Sequence, residues 1–93
     1  MEERIETIVI LSCLYFNSTP QEFFSATKDR RHAYARAAAA TLIRRFTTLT
    51  VKEIGLRMGR THATVLTWTN SMSHMLATEI ESIENKFKRV AKI

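Results

Sequence analysis

The 93-residue chain is 45% hydrophobic and holds only two glycines and one proline, enough apolar matter for one small core and a composition that disfavours a sheet protein. Its formal charge is +5, but between Lys28 and Arg60 nine basic residues meet only Asp29 and Glu53, giving +7 there and −2 on the other sixty residues. Such concentration exceeds what a solubilising coat needs and makes nucleic acid the first partner to expect.

A first helix is predicted from about Glu3 to Tyr15, because Ile5, Ile8, Val9, Ile10, Leu11, Leu14 and Tyr15 occupy too many faces for a surface helix. The apolar run Ile8 to Phe16, relieved by Ser12, is about half of the roughly 20 residues that cross a bilayer. Acidic Glu2, Glu3 and Glu6 precede it where a secretory leader carries bases. A cytoplasmic chain without a membrane partner is expected. Cys13 is the one cysteine and suits a small buried hydrophobe in a reducing compartment.

Asn17 and Ser18 end this helix, and Thr19-Pro20-Gln21-Glu22 supplies an N-cap, a first-turn proline and a capping glutamate. A short helix through Phe24 follows, with Phe23 and Phe24 as expected core anchors. Asp29 caps a longer helix from about Arg30 to Phe46, whose Ala37 to Ala40 run favours helix and lets neighbours approach closely. His32 carries no motif and reads as a surface residue, as does His74.

Thr50-Val51-Lys52-Glu53 repeats the capping-box pattern, and the helix it opens ends by Gly59, suited to a left-handed cap. Thr61 then caps a helix from His62 to about Met75, so that a short helix, a glycine turn and a second helix form a helix-turn-helix. On a helical wheel Val65, Trp68, Met72, Met75 and Leu76 form a core face, leaving His62, Ala63, Leu66, Thr67 and Asn70 outward with no acid among them. Thr64 lies between the two faces, its hydroxyl within reach of a phosphate or of its own helix. In the last segment Leu76, Ile80, Ile83, Phe87 and Val90 keep heptad spacing for only about two repeats, which favours packing on the first helix over a dimer seam.

The stretch EIGLRMGRTHATVL, Glu53 to Leu66, resembles the signature of the C-terminal helix-turn-helix domain of the bacterial replication initiator DnaA, and the flanking elements fall in that family's order from about Ile5 to Val90. The resemblance implies an all-α, Trp-repressor-like bundle of about five to six helices that binds double-stranded DNA. It further implies that Lys28 and Arg30 lie in a basic loop directed at the minor groove, and that Arg36 and Arg44 contact phosphate. Val51 and Lys52 match residues that touch thymine methyls, although Lys52 replaces the usual proline and is suited to phosphate instead. In the recognition helix His62, Thr64, Val65 and Leu66 match. Thr61 stands where the family has an acid that can accept from cytosine, and Ala63 where it has a hydroxyl, so the target sequence is expected to differ. Arg60, in a turn one residue shorter than usual, and outward Thr67 complete the expected interface.

Initiators of this family carry an ATPase module, yet this sequence holds no glycine-rich phosphate loop. It also has no zinc spacing, no paired carboxylates in an apolar setting and no nucleophile beside a base, so neither enzyme, metal nor cofactor is expected. Two readings of the function stay open. One is a regulator at origin-like boxes or promoters, free-standing or excised from a longer initiator. The other is a helical adaptor that keeps the fold and binds protein.

Overall fold

The computed structural model describes residues 2–93, and its order of elements follows the local signals closely. Helix α1 spans Glu2–Tyr15, α2 Pro20–Phe23, α3 Arg30–Phe46, α4 Val51–Met58 and α5 His62–Thr67. A π-helical turn, Trp68–Met72, continues α5 into α6, Ser73–Met75, and α7 runs from Ala77 to Ala91. Counting α5 to α6 as one rod, the described residues form six helices and no strand.

The boundaries have identifiable causes. Thr19, Asp29, Thr50 and Thr61 each accept a hydrogen bond from a backbone N–H of the turn they open. At Thr50 the reciprocal bond is made as well, Glu53 accepting from the Thr50 N–H at 3.0 Å. These pairs satisfy donors that a helix start leaves orphaned. Gly59 closes α4 at φ 66°, in the left-handed region that glycine enters without a Cβ penalty.

Helix α3 is the hub. Ala37, Ala38, Ala39 and Ala40 are all fully buried, so small side chains on every face allow α1, α2, α4, α7 and the π-turn to pack against one helix. Helix α7 lies on α1 and α3 through Ile80, Ile83 and Phe87, the last 4.9 Å from the Phe46 ring. The heptad residues thus serve an intramolecular contact, apart from Val90, which is exposed.

Four expectations about burial fail. Helix α1 is not covered on all sides: Ile5, Ile8 and Val9 are buried, while Ile10, Leu14 and Tyr15 are exposed because α1 packs on α3 and α7 with one side only. Phe24 is 52% exposed because the chain leaves α2 at that residue, while Phe23 is buried. Met75 is 58% exposed although Leu76 is buried, because the i→i+5 bonding of the π-turn widens the rod and rotates the residues after it. His32 is 1% exposed, its Nδ1 2.7 Å from Ser18 Oγ and its Nε2 3.2 Å from Glu22 Oε2. It joins the α1–α2 connection to α3 from inside the protein.

Candidate nucleic-acid interface

The helix-turn-helix is held at its closest point by Gly55. The Arg60 N–H donates to the Gly55 carbonyl at 2.8 Å, and a Cβ on Gly55 would lie 2.6 Å from the Arg60 carbonyl oxygen. Only a glycine lets the turn fold back so tightly on α4. The turn delivers Thr61 to the start of α5, and buried Val65 and Trp68 fix the rod against the core. His62, Ala63, Leu66, Thr67 and Asn70 are thereby left exposed, as the wheel requires.

The hydroxyls of this face are largely committed to the protein. Thr61 Oγ1 accepts from the Thr64 N–H at 3.3 Å and lies 3.1 Å from Thr64 Oγ1, and Thr67 donates to the Ala63 carbonyl at 3.2 Å. Thr64 itself is half-buried. What the rod of α5 and the π-turn presents outward is therefore the His62 imidazole, the methyl of Ala63, the Leu66 side chain and, one turn later, the Asn70 amide. This surface is suited to base edges and thymine methyls, and it carries no acid to repel phosphate.

The nine bases between Lys28 and Arg60 sort into three groups. Arg31, Arg45 and Arg57 are paired with Asp29, Glu84 and Glu2 respectively. Arg36 and Arg60 direct their guanidinium groups at backbone carbonyls. Lys28, Arg30, Arg44 and Lys52 are exposed and have no ion-pair partner among the described residues. All four belong to the interface expected from the sequence. Arg44 borders a shallow recess of about 370 Å³ with Leu66, Thr69 and Asn70, placing a cation beside the recognition rod. Lys52 lies in the first turn of α4, and the neighbouring Val51 is half-buried against the core.

Arg36 departs from the expected role. It is 5% exposed, and its guanidinium donates to the carbonyls of Phe23 at 2.7 Å, Thr27 at 3.0 Å, and Glu22 and Ser25 at 2.9 Å each. Four of its five N–H donors are thus spent on the end of α2 and the segment after it, so it organises the basic loop from below and has little left for phosphate. Burial, and after it the charge of Arg60, holds the Arg36 guanidinium below its ordinary pKa. Arg60 is half-buried and also faces the protein, donating to Ser25 O at 2.8 Å. The face that His32 and Arg36 share with Ala39 and Ile43, at steps of four, three and four, is the signal from which their burial was readable.

Among the described residues no group of three or more His, Cys, Asp or Glu side chains is placed to hold a metal ion. No described helix is long and apolar enough to cross a membrane. An apolar groove of about 430 Å³ between α1, α2 and α4 is lined by Ile5, Val9, Ile10, Phe24, Ile43 and Ile54, and none of the expected interface residues borders it. Cys13 is buried on α1, and that burial pushes its thiol pKa up, disfavouring the thiolate.

The family model for the bacterial dnaA protein helix-turn-helix matches residues 5–71. The chromosomal replication initiator protein DnaA of Mycobacteroides abscessus is 31% identical over 87 residues, covering 94% of this chain and 18% of that protein. The protein of the same name from Caldanaerobacter subterraneus subsp. tengcongensis is 30% identical over 82 residues, and that of Thermoanaerobacter pseudethanolicus 29% over 82. Each of these two alignments covers 82% of this chain and 18% of the relative. The chain therefore spans less than a fifth of the length of the curated relatives it matches.

Proposed function

The chain belongs to the bacterial DnaA helix-turn-helix family, and from that premise we propose that it is a sequence-specific, non-catalytic binder of duplex DNA. The exposed face of α5 enters the major groove, with His62, Ala63, Thr67 and the rim residue Thr64 against the bases and nearby backbone. Lys28 and Arg30 approach the adjacent minor groove from the basic loop, while Arg44 and Lys52 hold phosphates. The observation that carries this reading is the sorting of the bases. Among the nine bases between Lys28 and Arg60, the exposed four expected at DNA are left without acidic partners, whereas Arg31, Arg45 and Arg57 are neutralised by the protein's own carboxylates.

The preferred sequence differs from the family's at the start of α5. Thr61 stands in place of an acid and uses its hydroxyl to cap the helix, so it does not select cytosine, and Ala63 offers a methyl in place of a hydroxyl. Because the relatives are named as chromosomal replication initiators, origin-like boxes and promoter segments are the first duplexes to try.

The test is a titration against duplex DNA at several salt concentrations. With the four cations Lys28, Arg30, Arg44 and Lys52 against the duplex and about −0.9 for each, log affinity falls against log salt with a slope of about −4. Absence of duplex binding at low salt overturns the proposal.

A further inference from the structure

The segment from Phe24 to Asp29 has no regular secondary structure, yet it carries Lys28 and leads directly into Arg30, two of the four exposed, unpaired bases between Lys28 and Arg60. What shapes it is a pair of arginines. Arg36, from α3, grips the carbonyls of Glu22, Phe23, Ser25 and Thr27. Arg60, from the turn between α4 and α5, reaches the same Ser25 carbonyl at 2.8 Å while its other terminal nitrogen lies 3.3 Å from the carbonyls of Met58 and Gly59. Ser25 O thus accepts from two guanidinium groups, one rooted under the loop and one rooted in the helix-turn-helix.

We infer that Arg60 is a positioning residue that, through the Ser25 carbonyl it shares with Arg36, fixes the spacing between the basic loop and the recognition helix. This inference rests on the DNA-binding reading above. A loop in the minor groove and a helix in the neighbouring major groove bind together only if their separation matches the duplex, and a preset separation removes the ordering cost from the binding step. The position supports this role. The Arg60 backbone is pinned to α4 through the Gly55 carbonyl, so its side chain extends from a rigid point. Neither arginine has an acidic partner among the described residues, so the clamp also keeps two positive charges beneath the loop.

The discriminating variants are Arg60→Lys and Arg60→Ala. Lysine keeps the charge but lacks the planar fork that spans Ser25 O and the turn carbonyls at once. Amide exchange in the DNA-free protein reads the clamp directly. The Thr27 N–H bonds Ser25 Oγ and the Ser25 N–H bonds Glu22 O, and both are expected to exchange roughly tenfold faster in either variant while Thr64 and Val65 keep wild-type rates. On duplex DNA both variants are expected to lose roughly tenfold in affinity, and Arg60→Ala combined with Arg30→Ala is expected to bind no worse than Arg30→Ala alone. Unchanged exchange at Ser25 and Thr27 overturns the inference. Near-wild-type DNA affinity in Arg60→Lys overturns it too, as do additive losses with a salt slope reduced by about 0.9, the mark of a direct phosphate contact. If the wild-type protein binds no duplex, the DNA reading fails and the exchange rates alone decide the clamp.

Discussion

Replacing Gly55 with alanine is expected to destabilise the protein, although alanine is the better helix former. The added Cβ would stand 2.6 Å from the Arg60 carbonyl oxygen, with Thr61 backbone atoms at 3.4 and 3.5 Å. An unstrained carbon-to-oxygen approach is about 3.3 Å, so α4 and the turn must separate by about 0.7 Å. The obstacle is backbone, tied to the same residue by the Arg60 N–H to Gly55 O bond, and it cannot swing aside as a side chain can. Overpacking of this kind costs about 3 kcal/mol at the upper end of its range, offset by about 1 kcal/mol of helix propensity. The net loss of about 2 kcal/mol lowers the melting temperature by about 8–16 °C for a domain of this size. Gly59→Ala is the internal comparison. Nothing lies within 4 Å of its Cβ position, and only the left-handed φ of 66° opposes the change, so it costs about 1 kcal/mol. Thermal melts followed by circular dichroism, with urea titration as a second measure, separate the two. A Gly55→Ala protein that melts at or above wild type, or a Gly59→Ala protein hurt more than it, would refute the close approach described for the turn.

Other consequences follow from individual side chains. Ser12 Oγ is buried and has no hydrogen-bond partner among the described residues, so Ser12→Ala is expected to stabilise the protein by about 1 kcal/mol in urea unfolding; destabilisation would mean that the hydroxyl has a partner. Burial raises the Glu84 pKa, but the bonds and charges of Arg45 and Lys88 outweigh it and leave the carboxyl below its ordinary value of 4.5. Its contribution is therefore complete above that value and lost as pH falls through the lower folded one, so wild type and Glu84→Gln should converge in stability below pH 4.5 and differ at pH 7. A difference independent of pH would contradict the pairing. In DNA binding, Arg44→Ala is expected to weaken all duplexes alike, whereas His62→Ala erodes preference for the best site by about 1–3 kcal/mol. Competition against random duplex separates these roles, and equal effects of both variants on random and preferred DNA would contradict them.

Most helix boundaries were legible because each is decided within three residues. Thr19, Asp29, Thr50 and Thr61 cap their own first turns, and Gly59 closes α4 by itself. The partners of the basic residues were not legible, because they lie far away in the sequence. Glu2 takes Arg57 from 55 positions away and Glu84 takes Arg45 from 39, which removes both arginines from the free positive surface. Arg36 matched a phosphate contact by resemblance, yet its carbonyl partners lie 9 to 14 residues earlier and become neighbours only when α2 docks on α3. The π-turn has no local signature in Trp68–Met72, and Met75 was misplaced for that reason. Gly55 did carry a signal, since a glycine inside a helix is unfavourable unless packing requires it.

The central claim is that duplex DNA lies across the basic loop, the start of α4 and the outer face of α5. Titrating ¹⁵N-labelled protein with a duplex selected from a random pool tests it residue by residue. The amide signals expected to move are those of Lys28 to Arg30, Arg44, Val51, Lys52 and Thr61 to Thr67. Shifts confined to the groove around Ile10 and Phe24 or to α7, with the His62 helix unmoved, would contradict it.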